Sequence, residues 1–297
     1  MAGRHEFVIC DVFTNRQFSG NQLAVFLHAA GLEGEKMQAL AREMHFSETT
    51  FIMSRRPSER GWPVRIFTPA REVPFAGHPS LGTGFVIWQE FLGRSADRVV
   101  LDLAVGSIPV EVVGNGERFV MTQAEPDFGD VIEPGRAAAI LGIAEDDIDV
   151  RFPAQEVSTG LWFLIVPVRR LEPVQQVRIC RSEYDRLCSE HRAKAVLAFC
   201  PETVEPENDF HVRVFCDYYD VPEDPATGSA NGCLCAWLVR HEYSGKPEVR
   251  AICEQGFEIM RPSRLYLEGR RRGAGIEVKV GGGVVMTARG TVVELEH

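Results

Sequence analysis

The 297-residue sequence has no apolar run long enough to cross a membrane as a helix. Its start has no secretory apolar stretch either, because Met1-Ala2-Gly3-Arg4-His5-Glu6 leads straight into the strand-like Phe7-Val8-Ile9-Cys10. Basic charge is not in excess. The formal net charge of -10 argues against a nucleic-acid partner, which calls for clustered Lys and Arg. The one basic cluster, Arg270-Arg271-Arg272 between two glycines, reads as a solvated hairpin turn. Gly82-x-Gly84 falls short of G-x-G-x-x-G, and neither G-x-x-x-x-G-K-[ST] nor G-x-S-x-G occurs. A dinucleotide fold, a P-loop and a serine-nucleophile elbow are therefore unsupported. None of the eight cysteines forms a C-x-x-C, and Cys10, Cys200, Cys216, Cys233 and Cys235 lie in apolar runs, where free thiols act as small core residues. His45 has no spaced partners, so no metal site is expected. These absences together predict a cytoplasmic protein with neither a membrane nor a nucleic-acid partner.

The residues present are those of an ordinary globular protein, 45% hydrophobic and 25% charged, and the length favours two domains. Short β-like runs dominate, interrupted by an amphipathic helix with Met37, Leu40, Ala41 and Met44 on one face. Two segments, Val73–Gly84 and Val221–Gly232, look like versions of one device. A shift of 148 positions carries Val73-Pro74 onto Val221-Pro222 and Gly84 onto Gly232. Each runs from a strand end through a loop of small residues into a helix that is apolar all round, Leu81–Trp88 or Cys233–Val239. Such a helix must be enclosed. Its N-terminus offers unpaired N–H groups and partial positive charge, a seat for an anion.

The pattern predicts an α+β fold of two similar domains, each a curled, mostly antiparallel sheet around a central helix, with a small carboxylate held in the cleft between them. The domains are placed at 1–122 and 123–284, with the final strand, about 285–297, returning to the first; the C-terminal runs Val284–Thr287 and Thr291–Leu295 read as two strands. A linker is expected near Ala124–Glu133, and Gly281-Gly282-Gly283 reads as a hairpin turn.

Three side chains stand out as candidates for chemistry. Glu48, in Phe46-Ser47-Glu48-Thr49-Thr50-Phe51, has partly apolar surroundings that suit a carboxyl group to take and return a proton; the plainer alternative is an exposed turn residue. His78 follows Gly77 at a helix start, where the dipole favours a neutral ring, or it is an incidental loop histidine. Asp224 is its counterpart in the other half, or a helix cap. Gly228 and Ser229 offer N–H and hydroxyl groups to a carboxylate, or cap the helix.

These residues, with their neighbours, resemble the PhzF family of phenazine-biosynthesis isomerases, relatives of diaminopimelate epimerase. The likeness runs almost end to end. It takes in Asp11-Val12-Phe13, Phe18-Ser19-Gly20-Asn21, Ser47-Glu48-Thr49, Arg65-Ile66-Phe67-Thr68-Pro69 and Pro74-Phe75-Ala76-Gly77-His78-Pro79. Later it includes Glu223-Asp224-Pro225-Ala226-Thr227-Gly228-Ser229-Ala230, Gln255-Gly256 with Glu258, and Arg261-Pro262-Ser263.

The resemblance implies a homodimeric isomerase without cofactor or metal, acting on a small cyclic carboxylic acid such as trans-2,3-dihydro-3-hydroxyanthranilate. Glu48 would be the acid/base, with His78 and Asp224 as catalytic partners. Ser47, Gly77, Gly228 and Ser229 would bind the substrate. The chain departs from the family pattern at Asp217-Tyr218-Tyr219-Asp220, where members commonly carry a Pro-x-x-Gly turn. Two alternatives stand beside this function. One is an amino-acid racemase or epimerase, although the positions of its two thiols look like Gly77 and Asp224 here. The other is a non-catalytic metabolite-binding protein on the same scaffold.

Overall fold

A computed structural model describes residues 4–293, which fall in two compact units: 4–121 with 281–293, and Thr122–Val280. The first unit contains strands β1 (Arg4–Val12) and β2 (Asn21–Phe26), helix α1 (Gly34–Met44), and strands β3 (Thr49–Ile52), β4 (Trp62–Phe67) and β5 (Glu72–Val73). Helix α2 (Gly77–Glu90) and strands β6 (Arg98–Leu103), β7 (Gly106–Val113) and β8 (Arg118–Thr122) follow. The second unit starts with β9 (Asp127–Ile132), α3 (Pro134–Leu141), β10 (Ala154–Ser158), β11 (Trp162–Pro167), α4 (Leu171–Gln176) and α5 (Arg181–Glu190). It continues through β12 (Ala195–Cys200), β13 (Phe210–Cys216), β14 (Val221–Asp224), α6 (Gly228–Arg240), β15 (Glu248–Gln255), β16 (Ser263–Arg272) and β17 (Gly275–Gly282). The last strand, β18 (Val284–Val293), returns to pair with β1. No helix among the described residues is long and apolar enough to cross a membrane.

The expected repeat is present in the ladders. In the first unit β1–β2 is antiparallel, β2–β3 parallel and β3–β4 antiparallel; β4 then pairs antiparallel with β5 and parallel with β6, and β6–β7 is antiparallel. The same senses recur from β10 to β16, with β13 pairing antiparallel with β14 and parallel with β15. In each unit a short strand, β5 or β14, leads into the enclosed helix. The loops differ in length: Val73 lies four positions before α2 starts, Val221 seven before α6. The shift of 148 therefore carries Val73, the last residue of β5, onto Val221, the first of β14, and does not match the helix starts.

Burial explains why these helices form. Every residue of α2 from His78 to Trp88 is buried, and the helix touches β1, β2, β3, β6, β7 and β18. Its close approach to the sheet requires glycine, because a Cβ on Gly82 would lie 2.6 Å from Leu23 Cδ2 and 2.9 Å from Val12 Cγ2. Helix α1 lies over β2–β4, with Met37, Leu40 and Ala41 packed among Phe26, Phe51 and Phe67. Phe26 and Phe51 stack with centroids 4.9 Å apart, and Phe67 meets Phe51 edge-on. α1 ends on His45 in the left-handed conformation, which turns the chain toward β3 through Ser47 and Glu48. In the second unit α3 and α5 contribute Ile140, Leu141, Tyr184 and Leu187 to a core shared with Leu164, Val166, Val196 and Ala198.

Four local expectations need correction. Asp127–Ile132, within the expected linker, is strand β9 paired with β10; Pro126 and Gly129 suggested a loop, but Pro126 lies just before the strand and Gly129 falls at an irregularity in the register. Arg270–Arg272 is the end of β16 rather than a turn. Arg270 and Arg272 both pair with Glu277, and Arg271 lies 3.5 Å from Glu242. Gly281 and Gly282 are the last residues of β17 and Gly283 alone separates it from β18; a Cβ on Gly281 or Gly283 would strike Phe119 or Asn15. The two expected C-terminal strands are one, β18, which pairs with β1 along its length across a register shift at Ile9/Cys10; 294–295 lie outside the described residues.

Gly82→Ala tests the close approach of α2. Alanine gains about 1 kcal/mol in helix propensity, while overpacking costs about 1–3 kcal/mol. The substitution should therefore lower stability in urea denaturation, and an unchanged or raised midpoint would contradict the packing.

Candidate active site

Ser47 and Glu48 occupy the short connection between α1 and β3, and Gly77 and His78 are the first two residues of α2. All four belong to the first unit. β3 is fastened to α2 by a buried bond between the Thr50 and Thr83 hydroxyls, 2.8 Å apart. Glu48, two residues before Thr50, is thereby brought to the start of α2. Its Oε2 lies 3.4 Å from His78 Nε2, with side-chain exposures of 19% and 8%.

Nε2 of His78 makes no hydrogen bond, so the ring's bond to the Gln22 backbone falls to Nδ1. That bond favours the protonated ring, as a carbonyl acceptor does, so Nδ1–H donates and Nε2 keeps its lone pair toward Glu48. Burial is the larger effect and holds the His78 pKa down to about 3. The contact has ion-pair distance, yet it is one between a carboxyl group and a neutral imidazole.

Helix α2 has no side-chain cap and no acidic residue in its first turn, and α6 matches it in both respects. Neither helix start is neutralised by its own side chains, which suits it to an anion. Asp224 ends β14, and Gly228 and Ser229 open α6, all in the second unit. Asp224 is not itself the N-cap residue of α6. Thr227 is the N-cap residue, and its hydroxyl lies 2.5 Å from Asp224 Oδ2.

Sequence reasoning missed three members of this environment. Gln22 acts through its backbone, which carries no side-chain signal. Thr227 and Gln255 fall within segments that carry the family resemblance, but nothing in their spacing marks them as partners of Asp224. The departing segment Asp217–Asp220 is tied to α5: Tyr184 Oη accepts from Tyr218 N at 3.1 Å, and Arg181 lies 3.7 Å from Asp217.

Two other chemical groupings are structural. Ligand atoms of Asp130, Glu156 and His191 lie within 4.8 Å of one another, the one such metal-like grouping among the described residues. Glu156, however, accepts backbone N–H groups from Asp130 and Ala193, and Arg136 Nη1 lies 3.2 Å from His191 Nε2. The eight cysteines are free, and burial pushes the Cys233 thiol up to about 12 and that of Cys235 higher still. Both thiols are thus held protonated inside α6.

Two pseudo-repeated α+β units, with a carboxyl–imidazole contact where β3 meets the central helix of the first, define a class of fold with named relatives. The phenazine biosynthesis-like protein family (PhzC-PhzF) matches residues 10–290. A trans-2,3-dihydro-3-hydroxyanthranilate isomerase of Pseudomonas aeruginosa is 35% identical over 281 residues, 92% of this chain and 93% of that one. An uncharacterized isomerase of Mesorhizobium japonicum is 33% identical over 300 residues, 96% of this chain and 97% of its own. The crystal structure of a PhzF-family phenazine biosynthesis protein from Bacillus anthracis superposes with a TM-score of 0.89 at 28% identity, covering 98% of this chain and 99% of that one. The chain belongs to the phenazine biosynthesis-like family, and with it to a class of isomerases.

His78 also makes a prediction about stability. An unfolded histidine takes up a proton as pH falls below about 6.5, whereas the folded ring stays neutral until about 3. The contribution is complete above 6.5 and is lost as pH falls, at up to about 1.4 kcal/mol per pH unit. His78→Gln should reduce the acid slope of stability between pH 6 and 4 by roughly this amount in pH-dependent denaturation. An unchanged slope would show that His78 titrates normally.

Proposed function

We propose that this protein is a PhzF-like isomerase that moves a proton on a small cyclic carboxylic acid such as trans-2,3-dihydro-3-hydroxyanthranilate. The observation that carries this reading is the 3.4 Å contact between Glu48 and a buried, neutral His78. In the proposed reaction the Glu48 carboxylate takes a proton from a ring carbon and leaves a delocalised anion. Glu48 then returns the proton to another ring carbon, which gives an enol, and the enol becomes a ketone as its hydroxyl proton is lost and a carbon is protonated. The proton begins and ends on substrate, so no redox partner is consumed. A proton held on Glu48 can be shared with the Nε2 lone pair of His78, which keeps the acid in place between the two transfers.

Asp224 is assigned to orienting the substrate with His78, and Ser47, Gly77, Gly228 and Ser229 to holding its carboxylate. The helix starts suit that role, since backbone N–H groups steady negative charge without reorganising. We further assign a homodimeric, cytoplasmic form, in keeping with the resemblance and the free thiols. Two-thiol racemisation suits this chain poorly, because its thiol positions look like Gly77 and Asp224, while Cys233 and Cys235 are buried and protonated.

The test is turnover of trans-2,3-dihydro-3-hydroxyanthranilate in D2O, followed by NMR for deuterium on ring carbon. Wild-type protein should incorporate deuterium as product forms, and Glu48→Gln should slow turnover roughly 10²–10⁴-fold. Full turnover by the variant would remove Glu48 from its role. A wild-type protein that binds the acid without exchange would favour the non-catalytic reading.

A further inference from the structure

Gln255, fully buried at the end of β15, directs its whole side chain at the loop between β14 and α6. The Thr227 backbone N–H can only donate, and its bond to Oε1 at 3.2 Å fixes which side of the amide carries oxygen. Asn231 Nδ2 donates to the same oxygen at 2.9 Å. Nε2 therefore faces the other way, donating to the Asp224 carbonyl at 2.7 Å and to Thr227 Oγ1 at 3.1 Å. Having accepted from Gln255, the Thr227 hydroxyl has its one proton left to give, and Asp224 Oδ2 lies 2.5 Å away. The direction of every bond in this chain follows from the single backbone donor.

We propose that Gln255 and Thr227 are positioning residues for Asp224, a buried donor relay that fixes the orientation of its carboxylate and favours the ionised form. This rests on the assignment of Asp224 to substrate orientation. Thr227 stands at the N-cap of α6 yet makes no side-chain cap bond, so its hydroxyl is committed to Asp224 rather than to the helix. An O–H donor this close to a carboxylate is a charge-assisted bond of the stronger kind. The charged groups on the neighbouring strands are already engaged with one another. Arg213 binds Glu223 through two nitrogens and lies 3.8 Å from Glu258, and His211 bridges Glu258 and Glu254. Substitutions at 227 leave all of them in place.

The experiment is a carbon-13 NMR titration of the Asp224 carboxyl in the full chain, assigned by its loss in Asp224→Asn. Thr227→Val removes the donor and should raise the Asp224 midpoint by about one pH unit. Thr227→Ser keeps the hydroxyl and should hold the wild-type midpoint. Gln255→Met should move it the same way as Thr227→Val, by less. If Thr227→Val does not fold, Thr227→Ala carries the same expectation. Equal midpoints for Thr227→Ser and for the hydroxyl-free variant would overturn the relay. The titration needs no substrate, so loss of the isomerase reading through failed turnover and loss of the relay through an unmoved midpoint are separate results.

Discussion

A histidine ring that is neutral because it is buried, and aimed because a backbone carbonyl holds its other nitrogen, is the interaction on which the first unit turns. Without the tie to Gln22 the imidazole could rotate or change tautomer, and Nε2 would no longer present a lone pair to Glu48. The scaffold supplies that tie through three neighbours. β2 carries Gln22, β3 follows Glu48, and α2 begins at Gly77-His78. The parallel pairing of β2 with β3 and the Thr50–Thr83 bond set the first two against the third. The apolar enclosure of α2 does more than stabilise the unit, because it removes the water that would otherwise allow the ring to charge.

The second unit uses the same ladder for a different local chemistry. Its loop between short strand and central helix is longer, and the extra length makes room for a hydroxyl and an amide to grip Asp224. Behind that loop lies a second buried polar system. Burial alone would keep His211 neutral, but its bonds to Glu254 and Glu258 outweigh burial and hold its pKa near 9. Glu254 also accepts from Val204 N, Glu205 N and Asn208, and Arg213 donates to three carbonyls as well as to Glu223. Removal of any one member of so fully partnered a buried charge network is strongly destabilising. The two histidines thus show opposite outcomes of one contest, desolvation against hydrogen-bond acceptors: a single backbone bond does not outweigh it at His78, and two carboxylates do at His211.

Much of the fold was legible where pattern and burial coincide. The two helices that are apolar all round had to be enclosed, the face of α1 defined by Met37, Leu40 and Ala41 had to meet a sheet, and the Val-Pro repeat marked the short strand before each central helix, although Val73 ends β5 whereas Val221 opens β14. Legibility failed where local chemistry pointed one way and tertiary pairing the other. Turn-forming residues disguised β9, and three arginines concealed the exposed end of β16, whose charges are met by Glu277 and Glu242. Helix α3, eight residues opened by Pro134 and closed by a left-handed Gly142, was too short for its periodicity to stand out.

The site was legible in residue type but not in arrangement. Glu48 and His78 stand thirty positions apart with no shared motif, and a bond made by the backbone of Gln22 leaves no trace in the sequence. The most direct measurement of the central claim is nitrogen-15 NMR of the His78 ring, assigned with a His78 variant. A neutral ring protonated at Nδ1, with resonances unmoved from pH 8 to 5, is the predicted result. Titration near 6.5, or a proton on Nε2, would contradict it.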